Sequence, residues 1–285
     1  MSSMASLIDP HAHTLHSDGT DTPEGLVLAA KRAGLDVVGI TDHDTTQGWA
    51  EAVEAARRHG VGLLRGVEVS AVYQGNSVHV LGYLMDPQDH SLNLLFEDAR
   101  RERSTRLAQM ASNLAADYPL LDWDALKERA GDAALGRPHL ADELVLQGYF
   151  PNRSAAFEWA LHPSGPYYVP QKVASPTEVV ELIRQAGGVP VLAHPQSSTR
   201  GWRVPEDLVA EMAQAGLFGI ERDHRDHDAA GRETVERLAA SHALFMTGGS
   251  DYHGTGKPNS LGENSLDPYI LAEIEAQGTS KVVRS

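Results

Sequence analysis

Cysteine is absent from this chain of 285 residues. The absence excludes disulfide bonds and thiolate metal ligands, so any bound metal must use histidine nitrogen or carboxylate oxygen. No apolar run approaches the ~20 residues that span a bilayer, and residues 1–6 lack the basic and apolar regions of a secretory signal. We therefore expect a cytoplasmic protein that has no membrane partner.

Positive charge is scarce as well. The chain has 24 Lys and Arg residues against 39 Asp and Glu residues, which gives a formal net charge of −15. Broad binding to duplex DNA requires a basic face, and this composition opposes it. Bound divalent cations would reverse the charge locally, so a small phosphorylated substrate remains compatible with the acidic chain.

Short β-branched segments alternate with helical segments along most of the sequence. Thr22-Pro23 and Ser175-Pro176 have the residue types of helix starts. The alternation predicts an α/β fold with a parallel sheet covered by helices, either open or closed into a barrel. Seven strands are predicted, at 6–10, 36–42, 62–69, 77–85, 189–193, 217–221 and 244–248.

This alternation is interrupted between residues 87 and 170. The interval contains one long helical segment followed by three short ones, and it has no strand signal. Insertions of this kind often cover the mouth of a barrel. We predict a helical cap at 87–170, inserted into a barrel formed by residues 1–86 and 171–285.

Histidines and carboxylates collect where the predicted strands end. A single histidine is usually a structural or surface residue, but the C-terminal ends of parallel barrel strands converge on one face. So many polar groups on one face need a partner, which a metal cluster supplies. Of the 14 histidines, those in or after predicted strands are His11, His13, His43, His79, His194, His224, His227 and His253, accompanied by Asp18, Asp42, Glu68 and Asp251.

The stretch DPHAHTLHSD places three histidines between Asp9 and Asp18. Residues two apart on an extended segment point to the same side, so His11 and His13 can bind one ion. Asp9 is a candidate to orient one of these imidazoles through its second nitrogen.

The same residues resemble a known family. The segments DPHAHTLHSDGT, GITDHDT, GVEVS, SVHVLGY, VLAHP, GIE…H and GGSDYHG follow in order the motifs of the PHP (polymerase and histidinol phosphatase) superfamily. The resemblance is greatest to its stand-alone phosphoesterases, which include 3′,5′-bisphosphonucleotide phosphatases and an exoribonuclease. It implies a distorted (β/α)7 barrel with two or three divalent metal ions, Mn, Zn or Fe.

The resemblance also implies a ligand set. The first metal would take His11, His13, Glu68 and Asp251. Glu68 would bridge to a second metal, bound also by His79 and His194. The third metal would take Asp18, His43 and His253. Asp42 and Asp44, which flank His43, are expected either to hold metal ligands in place from outside the metal sites or to cap the surrounding loops.

Substrate and proton-donor residues are implied less directly. The insertion contains GRPHLA, which is similar to a G-R-x-H element of this branch, so Arg137 would bind a phosphate beside His139. His224 and His16 are candidates to protonate the leaving oxygen. The segment around His224 is more charged than is usual in the family, and His16 is an extra histidine in the first motif.

These observations predict a metal-dependent phosphoesterase. It would hydrolyse a phosphomonoester of AMP or a 3′,5′-bisphosphonucleotide by attack of a metal-bound hydroxide. The alternatives are a 5′-to-3′ exoribonuclease on short RNA and a histidinol-phosphate-type phosphatase. A non-catalytic PHP module is opposed by the complete ligand set. An amidohydrolase is opposed by the lack of any lysine between Lys31 and Lys127 that could form a bridging carbamate.

Overall fold

The computed structural model describes residues 6–131, 133–199 and 201–284, and its seven strands form one sheet in chain order. The segments that follow the first and last strands are joined by a bridge between Ala12 and Tyr252, which nearly closes the sheet into a barrel. This confirms the predicted barrel class. The strands are β1 Ile8–Asp9, β2 Val37–Ile40, β3 Gly62–Tyr73, β4 Asn76–Tyr83, β5 Val189–Leu192, β6 Gly219–Asp223 and β7 Phe245–Gly248.

The prediction of an entirely parallel sheet is wrong for β4, which runs antiparallel to both β3 and β5. Only Gln74 and Gly75 connect β3 to β4, and both have positive φ, of 49° and 80°. Two such residues form a hairpin turn, whereas a parallel crossover needs a dozen residues or more. The start of β4 therefore lies where the parallel strands end, and His79 pairs with Ser70 of β3.

Helices cover the outside of the sheet, and their starts follow the expected capping chemistry. Thr22 accepts a hydrogen bond from Gly25 N–H, and Ser175 accepts one from Glu178 N–H, which confirms both predicted N-caps. The helices are α1 Pro23–Ala33, α2 Trp49–His59, α3 His90–Leu114, α4 Trp123–Ala130, α5 Arg137–Leu146, α6 Arg153–Glu158, α7 Pro176–Gln185, α8 Glu206–Gln214, α9 Ala229–His242 and α10 Pro268–Gln277.

Both faces of the sheet are buried. Leu63 and Leu192 pack outward in a cluster with α1, α2, α7, α8 and α9. Their neighbours Leu64 and Val191 belong to a second cluster, which α10 joins. This alternation follows from the two-residue period of a strand. None of the helices within the described ranges combines the length and the apolarity that a membrane span requires.

The interval between β4 and α7 contains helices α3 to α6, and no strand lies among its described residues. A separate apolar cluster forms here, from the C-terminal half of α3 to Leu161. Leu92 and Phe96, in the N-terminal half of α3, belong instead to the outer cluster of the barrel. Helix α3 therefore connects both clusters, and the division of the chain into two units at residues 87 and 170 stays a prediction.

Candidate metal centre

All nine predicted metal ligands lie at the mouth of the barrel, defined here as the edge where the parallel strands end. His79 is half-buried on β4, and the other eight side chains are buried. The potential ligand atoms of eight of them, all but His194, form overlapping groups within 4.8 Å of one another. The members of these groups are His11, His13, Glu68 and Asp251; His13, Asp18, His43 and His253; and His43, Glu68 and His79.

In the first group, four ligand atoms face one point. The Nε2 atoms of His11 and His13 are 3.2 Å apart. Glu68 Oε2 lies 3.3 Å and 3.0 Å from these two nitrogens, and Asp251 Oδ1 lies 3.5 Å and 3.3 Å from them.

The hydrogen bonds on the far side of both imidazoles determine where their protons lie. His11 Nδ1 donates to Glu221 Oε1 at 2.9 Å. The Ser17 hydroxyl donates to Asp42 at 2.7 Å, so His13 Nδ1 must donate to Ser17 Oγ at 3.3 Å. With both Nδ1 atoms protonated, a neutral ring has its lone pair on Nε2. When both rings are neutral, four acceptor atoms therefore meet without a proton between them.

Such an arrangement requires positive charge. In the metal-free protein, burial lowers the pKa of His13, but the hydrogen bonds to Asp251 and Glu68 outweigh it and raise that pKa to about 9. The neighbouring imidazoles likewise outweigh burial and hold the pKa of Glu68 well below its usual range. A divalent cation satisfies the same four atoms without extra protons, so the residues fit a metal ion.

The two carboxylate oxygens of Glu68 face different ligands. Oε2 faces His11 and His13, whereas Oε1 lies 2.7 Å from His79 Nδ1 and 2.8 Å from His194 Nε2. A carboxylate that bridges two cations requires this division. The antiparallel course of β4 makes the contact possible, because it places His79 two residues along the ladder from Glu68.

The third predicted ligand set also converges. His253 Nδ1 donates to the carbonyl of Asp251 at 2.8 Å, which leaves the lone pair on Nε2. That buried Nε2 makes no hydrogen bond to any described residue, and it lies 3.1 Å from Asp18 Oδ1. His43 Nε2 lies 3.8 Å from Asp18 Oδ2. An unpartnered lone pair beside a carboxylate is further support for a cation.

Glu221, rather than Asp9, orients the first imidazole. Asp9 accepts hydrogen bonds from the backbone and hydroxyl of Ser250 and from Gly262 N–H, so the predicted contact with an imidazole is wrong. Glu221 instead holds His11 Nδ1 and also accepts from His194 N–H at 2.8 Å. A Cβ at Gly249 would lie 2.6 Å from His11 Cβ and 2.8 Å from Glu221 Oε1, so only glycine fits there.

Two potential ligands have strained backbones. His194 and Asp251 have φ values of 30° and 52°, in the left-handed region that non-glycine residues rarely adopt. Surrounding structure must impose such conformations, which are typical of functional sites.

Asp42 and Asp44 support the loops, as predicted. Asp42 accepts hydrogen bonds from Thr14 and Ser17, which fixes the loop between His13 and Asp18. Asp44 accepts two from Ser70 on β3, and Arg103 of α3 lies 3.0 Å from its Oδ2.

The two proton-donor candidates occupy different environments. His224 is buried, and its Nε2 lies 3.5 Å from Asp251 Oδ2. Its Nδ1 accepts a hydrogen bond from Asp226 N–H, so a neutral ring is protonated at Nε2. His16 lies half-buried in the turn before Asp18, where its carbonyl accepts from Ala134 N–H of the insertion. The structure therefore places His224 beside the predicted metal ligand Asp251, with Nε2 as a hydrogen-bond donor.

The two predicted substrate residues lie at the start of α5. Arg137 donates to the carbonyl of Leu161 at 3.2 Å, and its guanidinium lies over Phe157 and Tyr168. His139 accepts from Gly136 N–H. Burial lowers the pKa of His139, against the opposing effect of the Asp18 charge. The substrate roles of both residues stay predictions.

The comparisons with known proteins agree with this geometry. The PHP domain family matches residues 9–146. The chain is 34% identical over 279 residues to the 3′,5′-nucleoside bisphosphate phosphatase of Chromobacterium violaceum, covering 97% of this chain and 98% of that protein. It is 31% identical over 252 residues to the 5′-3′ exoribonuclease Rnm of Escherichia coli, covering 87% and 86%.

A solved structure is also similar over almost its whole length. This protein from Bifidobacterium adolescentis, described as a metal-dependent phosphoesterase, superposes with a TM-score of 0.93 at 40% identity. The superposition covers 97% of this chain and 98% of that chain.

Three residues at the mouth were not assigned a role from the sequence. Glu221 stands in the quoted GIE motif, and its place at the end of a predicted strand was the available signal. Arg153 donates to the carbonyl of Asp18 from α6, and Lys257 lies 2.7 Å from Asp251 Oδ2. Neither Arg153 nor Lys257 lies in a sequence pattern that distinguishes it from a surface residue.

Proposed function

The chain belongs to the PHP family of phosphoesterases, and from this premise we propose that it hydrolyses a phosphomonoester of a small nucleotide-like substrate. The proposed substrates are AMP and 3′,5′-bisphosphonucleotides. The proposed cofactors are two or three Mn, Zn or Fe ions. The observation that carries the proposal is the meeting of four potential ligand atoms from His11, His13, Glu68 and Asp251. The bisphosphate phosphatase named above supports the substrate class.

The nine predicted ligands would hold the cations, with Glu68 shared between two of them. Bound there, divalent cations supply Lewis-acid polarisation of a phosphate and lower the pKa of water. The chain itself orients the ligands, through Glu221 on His11 and through Ser17 and Asp42 on His13. Strand ends and fixed loops preorganise the mouth before substrate arrives.

His224 is the residue whose geometry best supports a proton donor. Its Nε2 is buried beside Asp251 and makes no hydrogen bond to any described residue. A buried donor without an acceptor costs about 1–3 kcal/mol. An ester oxygen placed there would accept that hydrogen bond. For the ring to give up a proton as the bond to phosphorus breaks, Nδ1 must first bind a second proton in place of the hydrogen bond from Asp226 N–H, so that a neutral imidazole is left after the transfer.

Phosphate release tests the proposal. Protein purified without chelators and loaded with Mn²⁺ or Zn²⁺ would be incubated with 3′,5′-bisphosphonucleotides, AMP and histidinol phosphate. We expect release from the nucleotides, and none after Glu68→Gln, which removes the shared carboxylate. Metal-loaded protein that releases phosphate from none of the three would refute the proposal.

A second candidate is 5′-to-3′ removal of nucleotides from short RNA, because the exoribonuclease Rnm is 31% identical over most of the chain. Short oligonucleotides carry few phosphates, so the net charge of −15 opposes them less than long RNA. Ladders of shortened products from 5′-phosphorylated di- to pentanucleotides would favour this activity. Phosphate release alone would favour the monoesterase.

A further inference from the structure

Lys257 contacts Asp251 of the proposed metal centre through the carboxylate oxygen that faces away from His11, His13 and His253. Its Nζ lies 2.7 Å from Asp251 Oδ2. Asp251 Oδ1 faces His11, His13 and His253 instead. His224 Nε2 lies 3.5 Å from the same Oδ2 that Lys257 contacts. Two nitrogen donors therefore flank one oxygen of a predicted metal ligand.

The backbone that carries Lys257 is fixed on both sides. It follows a 3₁₀ turn, Gly254–Gly256, whose Thr255 N–H donates to Thr20 Oγ1 at 2.9 Å. Beyond it, the buried Asn259 amide donates to the Ser250 carbonyl at 2.7 Å. About a third of the Lys257 side chain is exposed, so the ammonium lies between the buried ligands and solvent.

A role in metal binding alone does not account for a lysine at this position. Asp251 already faces three imidazoles through Oδ1, and a cation beside a ligand opposes the approach of a second cation. The same ammonium attracts an anion that enters the mouth of an acidic protein. An ammonium has three donors, so Lys257 can keep Asp251 and contact a second group.

We propose that Lys257 is a substrate-binding residue, whose ammonium donates a hydrogen bond to an oxygen of the phosphate held on the Asp251 side of the metal centre. This inference rests on the proposed function, and it adds the residue that recognises the phosphate beside the ligands. His224 would lie next to the same phosphate, on the other side of Asp251 Oδ2.

Direct binding of inorganic phosphate tests the inference. Calorimetry on Mn²⁺-loaded protein would compare wild type with Lys257→Met, Lys257→Arg and Lys127→Met. Lys127 is exposed in the last turn of α4, 130 residues before Lys257 in the sequence. Its variant therefore removes the same charge from a different element. Metal content and the KM and kcat for a bisphosphonucleotide would be measured in parallel.

We expect Lys257→Met to raise the dissociation constant of phosphate and the KM about tenfold or more, with full metal content. Lys257→Arg should keep most of the affinity, and Lys127→Met should not differ from wild type. Unchanged phosphate binding in Lys257→Met would overturn the inference, as would a loss of metal that accounts for the whole effect. Wild type that binds phosphate but hydrolyses no ester would refute the proposed function while leaving the test of Lys257 valid.

Discussion

At the scale of single residues, the partner of one ring nitrogen decides what each histidine can do. His253 donates from Nδ1 to a carbonyl, so its Nε2 can bind a metal. His224 accepts at Nδ1 from Asp226 N–H, so its Nε2 is a donor. His227 uses both nitrogens, accepting from Gln196 N–H and donating to the Arg222 carbonyl, which makes it structural.

Glu221 should control metal affinity without binding the metal. Glu221→Gln weakens the acceptor for His11 Nδ1 and lowers the basicity of that ligand, so we expect a 10- to 100-fold loss of Mn²⁺ affinity, on the order seen for such partners. Metal titration and circular dichroism would measure affinity and folding. Glu275→Gln on α10, which removes an acceptor for Arg284, is the control. Equal affinities in both variants would contradict this role.

Metal binding should depend on pH. The pKa of His13 in the metal-free protein is about 9, so near pH 7 its ring is protonated and a cation must displace that proton. Apparent affinity should therefore rise as the pH is raised towards 9, by about tenfold per pH unit for each proton released. Calorimetry in two buffers of different ionisation enthalpy would count these protons. Affinity that is independent of pH below 9 would be incompatible with the raised pKa.

The effect of His224 on kcat should depend on how strongly the leaving group needs a proton. We expect His224→Gln to lower kcat about 100-fold or more for a nucleotide ester, whose alkoxide needs a proton. With p-nitrophenyl phosphate, whose leaving group needs none, the loss should be small. Metal content serves as the control for an intact centre. Equal losses with both substrates would exclude the proton-donor role.

At the scale of elements, the β3–β4 hairpin and helix α3 position the ligands from opposite directions. The hairpin turns the start of β4 to the mouth, which lets His79 approach Glu68. Helix α3 connects to the loop after β2 through Arg103, which contacts both Asp44 and Ser70. Asp44 directly follows His43, so this contact fixes the course of a ligand loop.

The buried Arg103–Asp44 pair should be strongly coupled. Arg103→Met leaves the Asp44 carboxylate buried without its cation, so we expect a loss of about 3–5 kcal/mol in the free energy of unfolding. Asp44→Asn in the same chain should recover part of this loss. Denaturant unfolding of the single and double variants measures the coupling. Arg101→Met, which breaks an exposed pair with Asp98 on the same helix, should cost less than about 1 kcal/mol.

If the two losses in the Arg103 and Asp44 variants simply add, the pair is not coupled, and α3 does not fix the loop through it.

At the scale of the whole molecule, part of the negative charge of the chain is concentrated in the metal centre. Asp18, Glu68 and Asp251 are buried carboxylates whose pKa values are held well below the usual range, because the charges of neighbouring groups outweigh burial. Cations bound to them neutralise charge in the folded chain only. Metal should therefore stabilise the native state.

Removal of metal should lower the unfolding temperature. A free metal concentration of 100 times the dissociation constant adds about 2.7 kcal/mol for each site. For a chain of this size we expect a rise of about 5 °C or more on adding Mn²⁺ to chelator-treated protein. Scanning calorimetry over a series of metal concentrations measures it, and the Glu221→Gln variant should need more metal for the same rise. A temperature unaffected by metal would contradict binding at these residues.

The sequence by itself determined the α/β class and the collection of histidines at strand ends, and its resemblance to the PHP superfamily supplied the closed barrel and the candidate ligand set. Periodicity and capping residues are local signals, and histidines at strand ends converge in any barrel of this kind. Only the tertiary structure decided that β4 is antiparallel, that Glu221 and not Asp9 holds His11, and that Lys257 reaches Asp251. These contacts join residues through hairpin geometry, loop conformation and the proton positions of imidazole rings. They depend on how distant segments meet in space, which no local pattern encodes.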